Sequence, residues 1–119
     1  MIHHVGYEVE DLARSAHFYD AVFFALGGRR IYESGEAIGW GIDQPVLWLT
    51  ARALPKPGYG HVALRASGRA AVDGAYEAGI AAGGADDGPP GDRPEYGPTY
   101  YAAYLRDPDG LKVEVVTGA

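Results

Sequence analysis

The hydrophobic pattern at the start of the chain predicts a strand followed by an amphipathic helix. Residues 2–10 alternate loosely between apolar and polar positions, as in a half-buried strand. Apolar residues then recur every three or four positions from Leu12 to Leu26, which is the spacing of one helix face. Asp11 is placed to cap the start of this helix. Gly27 and Gly28 follow it, and glycine readily takes the left-handed conformation that ends a helix.

The rest of the chain is divided by turn residues, and its pattern restarts near residue 59. Three short extended segments come first, followed by a linker with two prolines. A second strand and helix then appear, followed by a long loop rich in Gly, Pro and Asp and by a hairpin. The predicted elements are strands at 29–33, 37–41, 46–50 and 59–66, a helix at 70–82 with Ser67 as its cap and Gly83 and Gly84 at its end, a loop at 86–98, and hairpin strands at 99–106 and 111–117.

This restart is an internal repeat that aligns His4 with His61. When residues 4–27 are compared with residues 61–84, seven of 24 pairs are identical, whereas composition alone would give about two. The His4/His61 and Tyr19/Tyr76 pairs carry the most weight, because Ala and Gly are common in this chain. We therefore expect one domain over residues 1–119, made of two repeats at about 1–52 and 58–119 with a linker at about 53–57.

Composition and charge restrict the class of protein. With 119 residues, 47% hydrophobic and 22% charged, the chain is suited to one small globular domain. A net charge of −6 argues against nucleic acid as a partner. The longest apolar run, residues 21–26, is too short to cross a membrane, and the N-terminus lacks the pattern of a secretory signal. The sequence has no cysteine, so thiolate chemistry is excluded, and we expect a cytoplasmic location.

Two histidines and one glutamate are candidate metal ligands. Because side chains alternate along a strand, His4 and His61 lie on the faces directed away from the helices, as does Glu114 in the last strand. If the two repeats pair so that these faces line one cavity, two imidazoles and one carboxylate converge in a facial triad for a divalent ion. Each residue alone could instead be structural or solvated, but the matching positions of the histidines in the repeat favour the metal site.

Short motifs in three parts of the chain support this interpretation. They are His4-Val5, Val9-Glu10-Asp11-Leu12, Ser15 and Phe18-Tyr19 near the start, Gly60-His61-Val62-Ala63 in the fifth strand, and Asp107-Pro108-Asp109-Gly110 with Val113-Glu114 at the end. Together they resemble the vicinal oxygen chelate superfamily, which includes glyoxalase I, fosfomycin-resistance proteins, extradiol dioxygenases and bleomycin-resistance proteins. Arg93-Pro94 and Tyr100-Tyr101 resemble the small bacterial glyoxalase-like members in particular.

The resemblance implies an α+β fold in which two βαβββ modules form a curved mixed sheet around a cavity, with the helices outside and usually in a homodimer. It implies His4, His61 and Glu114 as ligands of a divalent metal ion, which could be Zn, Ni, Mn, Co or Fe(II). One position departs from glyoxalase I, which has a fourth carboxylate ligand where this chain has Trp48. A lyase, isomerase, transferase or dioxygenase reaction therefore stays open.

Three further side chains are candidates for the substrate site. By the alternation of side chains along its strand, Trp48 lies on the cavity face. There it would stack on a substrate or fill the space of the fourth ligand found in glyoxalase I. Arg65 would hold an anionic group of a substrate or pair with Glu8 at the cavity rim. Tyr101 is a candidate for the pocket wall, although the hairpin register is open. Glu114 is the candidate catalytic residue, because it is the one side chain identified that could also transfer a proton.

Two functions follow from these observations. The first is a metal-dependent enzyme that binds oxygen atoms of a small-molecule substrate. The second is a non-catalytic protein that binds a small molecule or antibiotic, in which the net charge of −6 would attract a cationic ligand. The loop at 86–98 is long enough to serve as a lid or binding loop, or it is a surface excursion. Neither hypothesis involves nucleic acid or a membrane, and we expect a homodimer.

Overall fold

Each half of the chain folds as a strand, a helix and three further strands. The computed structural model describes residues 2–58 and 60–119, so the first residue of the strand predicted at 59–66, Tyr59, lies outside the described residues. No helix among the described residues is long and apolar enough to span a membrane. The elements are β1 (Val5–Glu8), α1 (Leu12–Ala25), β2 (Arg29–Glu33), β3 (Ala37–Gly41), β4 (Pro45–Thr50), β5 (His61–Arg65), α2 (Arg69–Ala81), β6 (Ala85–Asp92), β7 (Tyr101–Arg106) and β8 (Lys112–Thr117).

The two halves have the same topology. The strand orders are β1-β4-β3-β2 and β5-β8-β7-β6, so each module forms its own four-stranded sheet. In each sheet the first and last strands of the module run parallel, and the remaining pairs are antiparallel. The helices begin at Leu12 and Arg69, which are equivalent positions in the repeat that aligns His4 with His61. The predicted α+β class with two βαβββ modules is confirmed.

The two helices are capped differently at their N-termini. Asp11 caps α1 as predicted, because its side chain accepts a hydrogen bond from the Arg14 backbone N–H at 3.1 Å. The prediction that Ser67 caps α2 is wrong. Gly68 occupies the position equivalent to Asp11, and no side chain caps this helix. Glycine is accepted at this position because the backbone alone can adopt the extended conformation that precedes a helix.

The segment predicted as a loop at 86–98 contains a strand. β6 pairs with β7 at the edge of the second sheet, with register shifts on both sides of Gly88. Two prolines and two glycines within the strand conceal it in the sequence pattern. An edge strand accepts proline, because the missing N–H can lie on the side that has no neighbouring strand. Only the residues after Asp92 connect to β7 as a loop.

The two modules share one hydrophobic core that is centred on α1. Phe18 and Tyr19 are fully buried, and the core continues through the helix-facing residues of both sheets. Phe18 packs against glycines of the second module, and a Cβ atom built on Gly84 would overlap the Phe18 ring. This position therefore requires glycine, because a side chain there would separate α1 from the second module.

The turn between β7 and β8 fixes the second module to α1. The Tyr19 hydroxyl donates to Asp107 Oδ2 at 2.7 Å, and the Ser15 hydroxyl donates to Asp109 Oδ2 at 3.1 Å. Asp109 also forms ion pairs with Arg14 and Lys56 at 3.2 and 3.3 Å, although its own side chain is only 5% exposed. The Asp-Pro-Asp-Gly motif thus joins the modules as well as turning the chain.

Asp107 is expected to make stability depend on pH. Burial raises the pKa of its carboxyl group above the ordinary value of 3.8, and this effect exceeds the opposing effect of its three hydrogen bonds. The carboxyl's contribution to folding is therefore present below pH 3.8 and lost as pH rises through the raised pKa. Asp107→Asn retains one oxygen to accept from the Asp109 and Leu111 backbone N–H groups, presents an amide to the Tyr19 hydroxyl and does not titrate.

We expect the free energy of unfolding of the wild-type protein to fall relative to that of Asp107→Asn as pH rises through this interval. The measurement is urea unfolding from pH 3 to pH 7, with Asp43→Asn at an exposed turn as the control. A wild-type protein that gains stability relative to Asp107→Asn as pH rises would contradict the assignment.

Candidate metal centre

Glu114 lies at the centre of the second sheet, on the face opposite α2. It is paired with Ala63 of β5 on one side and Tyr104 of β7 on the other. Its side chain, which ends in a carboxylate, is only 5% exposed. The Tyr100 hydroxyl donates a hydrogen bond to its Oε2 atom. A buried carboxylate needs such partners, because loss of hydration is otherwise costly.

His61 brings an imidazole to the other oxygen of the same carboxylate. His61 Nε2 lies 3.4 Å from Glu114 Oε1, and its side chain is 49% exposed. This distance is longer than a good N–H···O hydrogen bond. It does fit a shared ion, because two ligand atoms about 2.1 Å from one tetrahedral ion lie about 3.4 Å apart. The donor set of one imidazole and one carboxylate thus fits two ligands of a divalent metal.

His4 does not join this pair within one chain. It precedes β1 and is exposed, and its Nδ1 lies 2.9 Å from Nδ1 of His3. It lines, together with His61, a separate groove of about 340 Å³ beside β1 and β5. Among residues 2–58 and 60–119, no three His, Asp or Glu side chains come together as a metal-binding group.

A cleft opens above the His61–Glu114 pair. Its volume is about 560 Å³, which lies within the range of about 300 to 1,000 Å³ for small-molecule sites. Its aromatic wall comes from β7 and the preceding loop, where the Tyr96 and Tyr100 ring centroids are 5.4 Å apart. The other lining residues are charged side chains and backbone of β6, β8 and the loop: Asp87, Gly88, Pro89, Arg93, Glu95 and Lys112, together with Tyr104.

Tyr100 remains protonated and donates to the carboxylate. The hydrogen bond to Glu114 raises the pKa of the Tyr100 hydroxyl well above its ordinary range, with burial adding to the effect. Glu114 Oε2 is therefore occupied by a fixed donor, whereas Oε1 faces His61. The arrangement orients the carboxylate so that its Oε1 atom is directed towards His61.

Two cations lie on the cleft side of β7. Lys112 Nζ and Arg93 Cζ are 4.8 and 5.5 Å from the centre of the Tyr104 ring. Lys112 is directly opposite His61 in the sheet and also lies 3.7 Å from Asp87. Arg93 donates to the backbone carbonyl of Pro89 at 2.7 Å. Two basic side chains therefore share the cleft with the candidate metal pair, together with the carboxylates of Asp87 and Glu95.

Trp48 occupies the position in the first module that Glu114 has in the second. It is paired with Gly6, and Glu114 is paired with Ala63, the residue that the repeat aligns with Gly6. The Trp48 indole covers Gly39 and lies 5.2 Å from the Tyr32 ring, on the face opposite α1. Within one chain, Trp48 is therefore on a different sheet from His61 and Glu114 and does not line their cleft.

The placement of Tyr101 corrects one of the substrate-site predictions. Its hydroxyl donates to Asp73 of α2 at 2.6 Å, and the Arg69 guanidinium lies 4.2 Å from its ring centre. Tyr101 is thus on the helix side of β7, and its neighbour Tyr100 lines the cleft. The reason is the period of two along a strand, since Tyr100 has the same parity as Tyr104, the partner of Glu114.

Arg65 also lies away from the cleft. It is exposed and borders a groove between the end of β5 and the turn before β4. The predicted alternative of a pair with Glu8 is wrong in this chain. Glu8 accepts hydrogen bonds from the Thr50 hydroxyl and from the linker backbone, and the arginine near it is Arg52, at 3.9 Å.

Comparisons with known proteins identify the family. Residues 1–115 match the model of the glyoxalase/bleomycin resistance protein/dioxygenase superfamily. A glyoxalase/bleomycin resistance protein from Albidiferax ferrireducens has 31% identity and a TM-score of 0.85, with 95% of each chain covered. A glyoxalase-related enzyme from Fulvimarina pelagi has 25% identity and a TM-score of 0.77, covering 98% of this chain and 86% of that chain.

A third similar structure shows the fold alone. The fosfomycin resistance protein FosX from Listeria monocytogenes has 21% identity and a TM-score of 0.73, covering 100% of this chain and 93% of that chain. The comparison with curated proteins gives no match. The match to the superfamily model over nearly the whole sequence, together with the two βαβββ modules, shows that the chain belongs to the glyoxalase/bleomycin resistance protein/dioxygenase superfamily.

Proposed function

We propose that this protein is a metal-dependent enzyme of the vicinal oxygen chelate type, acting on a small molecule held in the cleft above β7 and β8. The observation that carries the proposal is the His61–Glu114 pair, at 3.4 Å, beneath a cleft of about 560 Å³. Members of this superfamily typically use a divalent metal ion. A purely structural pair would not require a half-exposed imidazole beside a buried carboxylate at the floor of a ligand-sized cleft.

The side chains have separate tasks in this proposal. His61 and Glu114 would hold the divalent ion, which when bound polarises oxygen atoms of a substrate. Tyr100 holds Glu114 Oε2 and so keeps the carboxylate in one orientation. Glu114 is also the candidate for proton transfer, because its buried position shields it from bulk water. Tyr96 and Tyr100 form a wall against which a substrate can pack.

We propose that His4 of a second copy completes the ligand set in a homodimer. In one chain His4 is exposed and contacts His3 instead. A twofold axis that places the first module of one copy against the second module of the other would build two identical sites. The same pairing would place Trp48 of the second copy opposite the cleft, as a substrate-stacking wall.

Tyr100→Phe is expected to weaken binding of the divalent ion by about 10- to 100-fold, the usual effect of removing a group that orients a metal ligand. The phenylalanine retains the ring that packs on Tyr96 and removes only the donor to Glu114. The measurement is the metal dissociation constant by competition with a coloured chelator. Tyr101→Phe is the matched control, because Tyr101 bonds Asp73 on the other side of the strand. Equal effects of the two variants would contradict the role of Tyr100.

The direct test of the proposal is a metal titration. Protein purified without metal-affinity resin is treated with chelator and titrated separately with Zn, Ni, Co, Mn and Fe(II). We expect about one tightly bound ion per chain for at least one of these metals. Failure of all five to bind would overturn the metal-dependent enzyme and favour a non-catalytic small-molecule-binding protein, the second function that the sequence suggests.

A further inference from the structure

Arg93 differs from the other basic residues of this acidic protein. Seven of the ten Lys and Arg side chains have a carboxylate partner; these are Arg14, Arg30, Arg52, Lys56, Arg69, Arg106 and Lys112. Among the described residues, the three without one are Arg29, Arg65 and Arg93. Arg29 and Arg65 are exposed to solvent, which stabilises their charge, whereas Arg93 is half-buried in the cleft.

The position of Arg93 is fixed by residues of β6 and β7. One Nη atom donates to the Pro89 carbonyl at 2.7 Å, and the guanidinium lies over the Tyr104 ring. Two glycines of β6 lie against the guanidinium. A Cβ atom on Gly91 would lie 3.4 Å from Nη1 of Arg93, and one on Gly88 would lie 3.6 Å from Nη2. The guanidinium therefore lies against glycine backbone and beside Tyr104, and it has more N–H donors than these contacts use.

A guanidinium held in this way recognises oxyanions. Arginine presents several N–H donors in a rigid plane that matches carboxylate, phosphonate and phosphate groups. Lys112 lies over the same Tyr104 ring and is opposite His61 in the sheet, so positive charge extends from Arg93 towards the candidate metal pair. Asp87 already forms ion pairs with Arg106 and Lys112, and the exposed Glu95 forms no ion pair with Arg93.

We infer that the cleft takes a small organic oxyanion, whose carboxylate, phosphonate or phosphate group is held by Arg93. This inference rests on the proposed function for the location of the reacting end of the substrate, beside His61 and Glu114. The inference also decides whether a cationic or an anionic ligand is expected. The overall charge of −6 favours a cationic ligand, whereas Arg93, which has no carboxylate partner among the described residues, favours an anion at the cleft wall. For a group in contact with Arg93 this cation dominates, because Asp87 is paired with Arg106 and Lys112 and solvent ions screen the carboxylates elsewhere on the protein.

The experiment compares ligands that share one ring and differ in charge. Phenylphosphonate and benzoate are the anions, benzyl alcohol is the neutral compound and benzylamine is the cation. Each is titrated into chelator-treated protein, and dissociation constants are measured by calorimetry and ligand-observed NMR. The variants are Arg93→Gln, Arg93→Lys and, as a matched control, Arg29→Gln, which removes an exposed arginine of the first module. Thermal unfolding verifies that each variant is folded.

We expect phenylphosphonate to bind more tightly than benzylamine, and Arg93→Gln to weaken phenylphosphonate at least about tenfold, the effect of one charge-assisted hydrogen bond. Arg93→Lys should retain part of the affinity, and Arg29→Gln should retain all of it. Equal affinity in Arg93→Gln and Arg29→Gln, no binding of either anion, or tighter binding of benzylamine would overturn the inference. Because the protein contains no metal in this assay, a failed metal titration leaves the result for Arg93 intact, and the two proposals fail separately.

Discussion

Glu114→Gln is expected to abolish tight binding of divalent metal ions. Removing a group that only orients a ligand costs about 10- to 100-fold in affinity, so we expect removal of the ligand's charge to cost more than about 100-fold. Glutamine has nearly the same shape as glutamate and can still accept a hydrogen bond from Tyr100. The fold should therefore persist, and the loss should report the missing charge beside His61.

The metal dissociation constant of each chelator-treated variant is the measurement. His61→Ala should have the same effect as Glu114→Gln, because both groups are at the same point of the cleft. Glu36→Gln and His17→Ala are matched controls, since both positions are exposed and distant in the fold from β8. Unchanged affinity in Glu114→Gln would show that the ion binds elsewhere, and the assignment of the metal centre would then be wrong.

Mixed dimers are expected to recover metal sites that neither parent variant has. If His4 comes from a second copy, a dimer of one His4→Ala chain and one His61→Ala chain contains one complete site and one site that lacks both histidines. Equal co-expression with random pairing makes half of the dimers mixed, so about a quarter of the wild-type metal content should return. Each variant expressed alone should bind essentially none.

Different affinity tags on the two chains allow the mixed dimer to be isolated, and its metal content should be about one ion per dimer. The control is a His4→Ala chain paired with a His4→Ala/His61→Ala chain, in which no site is complete. Metal-free mixed dimers would show that all three ligands belong to one chain, and a monomeric wild-type protein in light scattering would contradict the dimer itself.

The sequence predicts the modular fold well because repeated patterns reinforce each other. The alignment of His4 with His61, first seen in identical pairs, also relates the starts of α1 and α2 in the structure. The same alignment relates the pairing of Gly6 with Trp48 to that of Ala63 with Glu114. The sequence pattern does not predict edge strand β6, because its glycines and prolines are typical of loops. Its pairing with β7, which no local pattern reports, makes it a strand.

The tyrosines show why parity alone does not locate a site. Alternation separates Tyr100 from Tyr101, but the face each one occupies depends on the hairpin register. In the structure the hairpin closes with Arg106 opposite Lys112, which places Tyr104 opposite Glu114 and brings Tyr100 to the same face. A symmetric hairpin around the Asp-Pro-Asp-Gly turn gives this register, so the signal for Tyr100 was available in the sequence.

Arg93 and His4 illustrate two other limits. The significance of Arg93 lies in the absence of a carboxylate partner among the described residues and in its contacts with Pro89 and Tyr104, neither of which sequence spacing contains. For His4, strand parity predicts a face directed away from the helix, but convergence with His61 and Glu114 depends on how modules pack. Within one chain they pack through α1 and the β7–β8 turn, which leaves His4 apart from Glu114.

X-ray absorption spectroscopy of the zinc-loaded protein is the most direct test of a divalent ion bound by two imidazoles and one carboxylate. Scattering from the outer atoms of imidazole rings gives the number of histidine ligands per ion. We expect two histidine ligands per zinc ion in the wild-type protein, with oxygen or nitrogen in the remaining positions at about 2.0 to 2.2 Å. A zinc ion with one histidine ligand, or with none, would contradict this ligand set.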